Sequence, residues 1–471
     1  MEAANYGILS LIPLALTLLL AFWKKDAVFA LFMGCLSGVL LLGHDPAFGF
    51  SALAKEALGN EDFIWILLIQ VFIGIMIAFF MKAGVVKAFA EMIAGKVKSP
   101  RSVKLATWFI GLFTIDDYMS PLLRGVVMRP LTDEMRVPRE KLAFILDSTC
   151  ASVCTLMPFM AWGAYVAGLV ADLGGPVTSN EQGVSVYISA IPFNFYAILM
   201  VLITLLSALE IFPDFGPMRK AEQRARTTGK LLRDGAVPMM GTELEELQKG
   251  NDSDVKPNVM LDFLVPIMIL VATAIWTYIA KGGVKILECF IITVIYMAIE
   301  LSIRKVFKSV TDLVNTAVQG MKSVMSATLI LALATITKSM GAADFLLGVC
   351  ESWMTPALFL SVAFIAGAVI SFFTGSSWGT FAICIPIAVP MAYSFTGGQL
   401  GTLVYAAVGA VVSGGLFGDH CSPVSDTTVL SSLGAACDHI DHVRTQLPYA
   451  LLAAAVSIIL WIVVAMVGGA A

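Results

Sequence analysis

The sequence predicts an all-α polytopic membrane protein made of two inverted repeats, each with five spanning helices and one re-entrant hairpin. Three observations carry this prediction: an apolar composition, an uneven placement of basic residues and two matched sets of interrupted apolar segments. Of the 471 residues, 58% are hydrophobic and 14% are charged, whereas soluble domains have about 25% charged residues. The composition excludes a soluble globular protein, so the lipid bilayer is an expected partner and nucleic acid is not.

The chain opens with three apolar segments that are long enough to cross about 30 Å of hydrocarbon. They lie at about residues 6–23, 27–43 and 63–81. The first is interpreted as a span and not as a signal peptide, because Lys24 and Lys25 follow the apolar stretch instead of preceding it. Basic residues cluster after the first and third segments, and basic loops face the cytoplasm. The N-terminus is therefore predicted to lie outside.

The next segment, at about 104–139, is apolar at first, is interrupted from Thr114 to Pro121, and has basic residues on both sides. A segment that leaves the cytoplasmic side and returns to it is a re-entrant hairpin. Such a hairpin is tolerated only where its non-helical tip is buried in protein or lines a cavity. The tip of this first hairpin carries Asp116 and Asp117.

A broken helix is predicted at about 141–170, because a polar stretch from Asp147 to Ser152 lies in its first half and Pro158 near its middle. The following segment, at about 185–212, is predicted as a span. Together these two segments carry the chain outside and back to the cytoplasm.

The polar segment 214–258 is rich in Lys and Arg and is interleaved with acids, Gly and Pro. It is predicted to be a cytoplasmic linker, flexible or amphipathic, with no chemistry of its own. It separates a first repeat, residues 1–213, from a second repeat, residues 259–471.

The second half repeats the pattern with opposite parity. Its hairpin, at about 356–395, is broken from Thr374 to Thr380 and is entered from outside, and the next span breaks from Gly418 to Thr428. Its other spans are predicted at about 259–280, 284–303, 310–338 and 446–468. Both termini then lie outside, and almost all of the 30 Lys and Arg are cytoplasmic or in the first hairpin; the exceptions are Lys55, Lys281, Lys285, Lys322 and Lys338.

The two halves also match weakly by residue. Thr114 and Thr374 each follow a Phe and precede polar residues, and Pro158 in the first half corresponds to Pro423 in the second. Five crossings and one hairpin per half invert the second half relative to the first. Inverted repeats with interrupted segments in corresponding positions predict a secondary transporter whose site lies near the middle of the membrane.

The four interruptions are predicted to meet and to supply oxygen ligands. Hard cations prefer oxygen, so the pattern favours Na⁺ over a transition metal. Burial raises the pKa of a carboxylate and a nearby cation lowers it, so Na⁺ and H⁺ would compete for one site. The leading candidates are Asp147, Asp419 and Asp426, followed by Asp116 and Asp117.

Each carboxylate also has a structural alternative. Asp116 and Asp117 could cap a half-helix of the hairpin, and Asp426 could cap the short helix after it. Asp147 could pair with Arg139 or Lys141 at the cytoplasmic surface.

The aromatic and histidine candidates have alternatives too. For His420, a hydrogen bond to a neighbouring carboxylate is favoured over a zinc site. His439 and His442 are expected on a solvated face, with a pH sensor as the alternative. Trp378 could line a substrate pocket or only pack.

The stretches Thr374 to Thr380 and Gly418 to Thr428 resemble the signature segments of the NhaC family of sodium/proton antiporters, and the resemblance spans nearly the whole chain. It implies an inner-membrane secondary transporter, a homodimer, in which a mobile part holding both hairpins moves as an elevator against a scaffold. By motif match, the residues in or beside the site would be Thr374, Ser376, Ser377, Thr380, Asp419, Ser422, Ser425 and Asp426.

The leading expectation is exchange of Na⁺ for H⁺, with Na⁺ as the coupling ion and no other cofactor. Ion and proton binding is assigned to the five aspartates with Ser148, Thr149, Ser422 and Ser425, and Na⁺ binding to Asp147, Ser376, Ser377, Asp419 and Asp426. The alternative is a sodium-coupled transporter of an amino acid or small organic acid, whose substrate would be held by Thr114, Thr374, Ser376, Ser377, Trp378, Thr380 and His420. An enzyme is not expected, because no nucleophile and base stand at workable spacing.

Overall fold

In the computed structural model, the regular secondary structure of the described residues is helical, apart from one isolated β-bridge between Pro238 and Asp438. The described residues are 9, 12–24, 27–41, 43–59, 61–85, 88, 97–112, 119–158, 161–173, 175–177, 179–239, 255–281, 285–323 and 358–468. The helices of the first half are α1 Ile12–Lys24, α2 Ala27–Leu41, α3 Pro46–Leu58, α4 Glu61–Lys82, α5 Pro100–Gly111, α6 Met119–Glu134, α7 Arg139–Ser148, α8 Ala151–Leu156, α9 Ala161–Asp172, α10 Asn180–Ala190, α11 Phe195–Ala208 and α12 Gly216–Thr228.

The second half begins with a π turn at Met260–Leu264. Its helices are α13 Val265–Lys281, α14 Ile286–Ile303, α15 Val310–Ser323, α16 Phe359–Thr374, α17 Ser377–Phe395, α18 Thr402–Cys421, α19 Asp426–Ala435 and α20 His439–Gly468. In the described part of the chain, 4 helices are long and apolar enough to cross a membrane, or up to 6 if each of two bent pairs counts as one span.

Three of the four predicted interruptions are present. Helix α7 ends at Ser148 and α8 begins at Ala151, helix α16 ends at Thr374 and α17 begins at Ser377, and α18 and α19 are separated by residues 422–425. The tip of the first hairpin, with Thr114, Asp116 and Asp117, lies outside the described residues.

The segment predicted as a span at 185–212 is formed by two helices with a bend between them. Helices α10 and α11 are bent by 49° at Asn194. Pro192 has no N–H to donate and favours a short 3₁₀ turn at Ile191–Phe193, and the Asn194 side chain then caps α11 by accepting from the N–H of Ala197.

Glycines let the helices around the interruptions pack backbone to backbone. A Cβ on Gly418 of α18 would overlap the backbone nitrogen of Phe372 in α16, and a Cβ on Gly125 of α6 would lie 2.6 Å from the Cα of Gly434 in α19. Small residues allow such close approach of helices in membranes. Helix α18 thereby packs closely on α16, and α6 packs closely on α19.

The described part of the linker packs on the helical body. The amphipathic helix α12 buries Met218, Ala221 and Ala225, and Arg224 forms an ion pair with Glu140 of α7 at 2.8 Å. Further along, Arg233 donates to the carboxylate of Asp441 at 2.6 Å. This segment is therefore the amphipathic alternative of the two that were predicted.

Candidate functional site

The buried carboxylate of Asp419 lies where the α16–α17 break meets the α18–α19 break. Ser377 Oγ donates to Asp419 Oδ2 at 2.7 Å. Ser425 Oγ donates to Oδ1, and Thr427 Oγ1 donates to the same atom at 3.3 Å. The side chains of Asp419, Ser377, Ser425 and Thr427 are all at most 1% exposed. The hydroxyls of Ser377, Ser425 and Thr427 therefore surround this carboxylate, and these three residues are called the Asp419 shell below.

The two breaks hold each other in place. Gly375 adopts a φ of +64°, which L side chains rarely adopt, and a Cβ there would overlap the carbonyl oxygen of Val424. Ser422 Oγ donates to the carbonyl of Phe372 at 2.6 Å. Pro423 follows directly, and helices usually end at or before the residue that precedes a proline. The hydroxyls of one break are thus fixed beside the carboxylate of the other.

Asp426 is buried in the first turn of α19. Its Oδ1 accepts from the N–H of Thr427 at 2.8 Å, while the capping position belongs to Ser425, whose Oγ accepts from the N–H of Thr428 at 3.4 Å. A carboxylate in this place is stabilised by the helix dipole. Asp426 thus lies next to the Asp419 shell, but its carboxylate accepts a hydrogen bond from a backbone N–H and not from a side-chain hydroxyl.

Asp147, near the end of α7, is fully buried. Its Oδ2 accepts from Gln446 Nε2 at 2.6 Å, and its Oδ1 makes no hydrogen bond among the residues described here. The alternative of a surface pair with Arg139 or Lys141 is wrong: Arg139 pairs with Asp133 at 3.1 Å and Lys141 pairs with Asp214. The carboxylate of Asp147 therefore lies in the interior of the protein and is not engaged by either of these cations.

His420 joins the break after α7 to the end of α18. Its Nε2 is 2.9 Å from Ser148 Oγ, and its Nδ1 is 2.8 Å from Tyr196 OH. Gln446 Nε2 also donates to the carbonyl of His420. The expected hydrogen bond from His420 to a carboxylate is therefore wrong, since both ring nitrogens contact hydroxyls.

The expectation that His439 and His442 lie on a solvated face is also wrong. Both are buried in the first turns of α20. Ser432 Oγ contacts Nδ1 of both rings, at 2.9 and 2.8 Å. His442 Nε2 lies 2.9 Å from Gln446 Oε1. The Gln446 amide therefore contacts His442 through its oxygen and Asp147 through its nitrogen.

The other residues of the α16–α17 break form no hydrogen bond with Asp419 in the described part of the chain. Ser376 caps α17, and Thr380 Oγ1 donates to the carbonyl of Ser376 at 2.8 Å. Trp378 packs against Trp162, with ring centroids 5.2 Å apart. Thr374 Oγ1 and Trp378 Nε1 have no hydrogen-bond partner among the described residues.

The predicted hydroxyls of the α7–α8 break have separate partners. Thr149 Oγ1 donates to the carbonyl of Ile145 at 2.6 Å and accepts from Arg124 at 2.8 Å. Ser148 contacts His420 instead. Neither hydroxyl is within hydrogen-bond distance of the Asp419 carboxylate in the described chain.

Sequence reasoning did not name four residues of this region as site residues: Gln446, Tyr196, Thr427 and Arg124. Thr427 lies within the polar stretch from Gly418 to Thr428 that was singled out. Gln446 could have been found as an isolated amide at the start of the last apolar segment, and Arg124 as the cation next after the interruption of the first hairpin. No pattern in the sequence marks Tyr196.

A family model described as the Na⁺/H⁺ antiporter family matches residues 153–466. The chain belongs to this family. The predicted resemblance is confirmed, and the protein is a multi-pass membrane protein of a family of secondary transporters. Asp419 and Asp426 lie within the matched region, and Asp147 lies just before it.

Three relatives show how the family varies. An uncharacterised protein of Haemophilus influenzae is 34% identical, over 97% of this chain and 90% of its own length. A malate-2H⁺/Na⁺-lactate antiporter of Bacillus subtilis is 33% identical, over 37% of each chain. The antiporter NhaC of Alkalihalophilus pseudofirmus is 31% identical, over 32% of this chain and 33% of its own.

The oxygen atoms around Asp419 form a donor set that suits a small hard cation. Among the residues that the structure describes, no group of three or more His, Cys, Asp and Glu is arranged to hold a metal ion. What converges is one carboxylate with hydroxyl oxygens, which are the ligands that hard cations prefer.

Proposed function

We propose that this protein exchanges Na⁺ for H⁺ and that Asp419 alternately binds the two cations. The observation that carries the proposal is the buried Asp419 carboxylate, which accepts hydrogen bonds from Ser377, Ser425 and Thr427. Within the described chain, no Lys or Arg forms an ion pair with it. A permanent cation would favour the charged carboxylate and would weaken competition between Na⁺ and H⁺.

Hydroxyl partners suit both states of such a site. A hydroxyl has one donor and two acceptor lone pairs, and its hydrogen rotates. Ser377 already has a second acceptor, since its Oγ lies 3.1 Å from the carbonyl of Gly415. When Na⁺ enters, the hydroxyl hydrogen can turn to that carbonyl and leave the oxygen lone pair facing the ion. When H⁺ enters, the same groups surround a neutral carboxylic acid.

The remaining assignments extend this proposal. Asp147 and Asp426 are further buried carboxylates near the Asp419 shell, and they would also bind Na⁺ or H⁺. The charge distribution supports an inner (plasma) membrane protein with both termini outside and residues 214–258 in the cytoplasm. Family resemblance supports a homodimer with elevator movement.

The test is Asp419→Asn in proteoliposomes, with Na⁺-dependent H⁺ flux as the readout. We expect loss of flux, because an amide cannot exchange a proton for a cation. Asp312→Asn is the control: Asp312 pairs with Lys82 at 2.9 Å, between α4 and α15, so flux should persist. Wild-type flux in Asp419→Asn would show that another group carries the exchange.

A second candidate is sodium-coupled transport of a small organic acid or amino acid. It is favoured by the cluster of aromatic rings at the α16–α17 break, where the ring centroids of Tyr165 and Trp378 lie 4.9 Å apart. In addition, Thr374 Oγ1 and Trp378 Nε1 have no hydrogen-bond partner among the described residues. The name of the Bacillus subtilis relative includes organic acids. A thermal-shift screen decides: an organic ligand that stabilises the protein only when Na⁺ is present would favour this candidate.

A further inference from the structure

Arg124 is a fully buried cation whose hydrogen bonds go to neutral groups. Its Nε donates to Ser120 O at 3.2 Å within its own helix, α6. Its NH1 donates to Thr149 Oγ1 at 2.8 Å, and its NH2 donates to Leu146 O at 3.0 Å and to Thr149 O at 3.4 Å. A buried charge is costly unless hydrogen bonds compensate it, so this constellation needs an explanation.

The acceptors lie at the α7–α8 break. The N–H of Cys150 donates to Asp147 O at 3.1 Å instead of to Leu146 O, which would be its acceptor in a continuous helix. Arg124 NH2 donates to Leu146 O and so takes the place of that backbone donor. It also donates to Thr149 O, just beyond the end of α7. The charge of Arg124 lies at the C-terminal end of α7, where the helix dipole favours a cation.

The surrounding helices make room for this contact. A Cβ on Gly111 of α5 would overlap both Arg124 NH1 and Thr149 Oγ1. One residue beyond Arg124, Gly125 packs closely on Gly434 of α19. The guanidinium thus connects α6, which already touches the helix of Asp426, to the break that follows Asp147.

We infer that Arg124 is a positioning residue for transport: it holds the α7–α8 break in the shape that directs Asp147 and Ser148 toward α18 and α20. It contacts neither the Asp419 shell nor Asp147 by hydrogen bond. Its effect passes through the backbone of residues 146–150. The transport arm of the test below rests on the proposed function, whereas the structural arm does not.

The variants are Arg124→Lys, which keeps the charge but cannot reach several acceptors at once, Arg124→Gln, and Thr149→Val, which removes one acceptor. The matched control is Arg304→Lys, at the C-terminal cap of helix α14. Arg304 pairs with Asp262 and with Glu300, the latter at 3.3 Å, and donates to Lys256 O at 2.9 Å. Hydrogen–deuterium exchange of peptides covering residues 144–156 and 402–421 gives the structural readout. The Na⁺ concentration for half-maximal transport and the maximal rate give the functional readout.

We expect both Arg124 variants to speed exchange in 144–156 but not in 402–421. We also expect them to raise the Na⁺ concentration for half-maximal transport roughly tenfold, because a tenfold change corresponds to the loss of one charge-assisted hydrogen bond. The change in maximal rate should be smaller. Thr149→Val should shift both in the same direction by less, and it decides the matter if the Arg124 variants do not fold. Arg304→Lys should change neither.

Wild-type exchange in 144–156 for Arg124→Lys would overturn the inference. So would full function in Arg124→Lys with loss in Arg124→Gln, because charge alone would then suffice. If the wild-type protein shows no Na⁺-dependent H⁺ flux, the proposed function fails, and the exchange arm still decides the role of Arg124.

Discussion

At the residue scale, the chemistry of Asp419 depends on which neighbours are hydroxyls. The Oγ atoms of Ser377 and Ser371 lie 3.1 and 2.6 Å from the carbonyl oxygen of Gly415, but only Ser377 Oγ is also within hydrogen-bond distance of the Asp419 carboxylate. Two serines six residues apart thus share one acceptor and differ in one contact. The sequence predicted Ser377 as a site residue from its motif, but it could not separate its role from those of Ser376 and Thr380, which bond within their own helix turn.

This pair gives the first prediction. Ser377→Ala should raise the Na⁺ concentration for half-maximal transport by roughly five- to tenfold. It removes the oxygen that would face the ion, and a polar contact with a charged group contributes about 1.5 kcal/mol or somewhat less when partly replaced. Ser371→Ala is the control and should leave it within about twofold. Na⁺ uptake into proteoliposomes measures both, and equal effects of the two substitutions would contradict a direct role for Ser377.

At the element scale, the breaks are placed by local sequence and fixed by close helix packing. Pro423 and Gly375 make the interruptions between α18 and α19 and between α16 and α17 predictable. The bend at Asn194 was not predicted, because the apolar residues on both sides of Pro192 continue without a polar stretch. Which helices then meet depends on glycines such as Gly418, whose packing partner is distant in the chain.

The second prediction concerns that packing. Gly418→Ala should separate α16 from α18, because the new Cβ would overlap Phe372 N and lie 2.5 Å from Ser371 Cβ. Backbone atoms cannot move aside cheaply, and overpacking costs about 1–3 kcal/mol. Gly401→Ala is the control, since nothing lies within 4 Å of its Cβ position and its backbone is extended. Thermal unfolding in detergent should show a lower Tm for Gly418→Ala alone; an unchanged Tm would mean that the helices separate without cost.

At the scale of the whole molecule, one polar cluster ties the two halves of the chain together. Lys141 of α7 pairs with Asp214, which lies just before α12. Tyr449 of α20 donates to Asp214 Oδ1 at 2.7 Å. Burial raises the pKa of the Asp214 carboxyl, but the contacts with Lys141 outweigh this effect, so the pKa lies below its ordinary value.

The third prediction follows from that shift. A carboxyl whose folded-state pKa is lowered adds stability that is full above the unfolded-state pKa, about 4, and is lost as the pH falls through the lower folded-state value. Asp214→Asn should therefore lower the Tm at pH 7, by breaking a buried pair worth about 3 kcal/mol or more, and should flatten the fall in Tm below about pH 4.

The control for this prediction is Asp234→Asn. Asp234 pairs with Lys230 at 2.8 Å at an exposed position, and exposed pairs contribute little. Its Tm should follow the wild-type profile from pH 7 to pH 3. An Asp214→Asn profile that runs parallel to the wild type would exclude the Asp214 carboxyl as a source of the acid sensitivity.

The sequence by itself determined the membrane class, the positions of three breaks and which carboxylates lie at or near them, because apolar length, prolines, glycines and isolated acids are local signals. The tertiary structure decided what each carboxylate contacts. Ser148 meets His420 across 272 residues and Gln446 meets Asp147 across 299, and no periodicity encodes such pairings. Because such partners are far apart in the sequence, the pairing alternatives for Asp147 were the nearby Arg139 and Lys141. For the same reason, the role of Arg124 could be inferred only from the structure, which shows its hydrogen-bond acceptors.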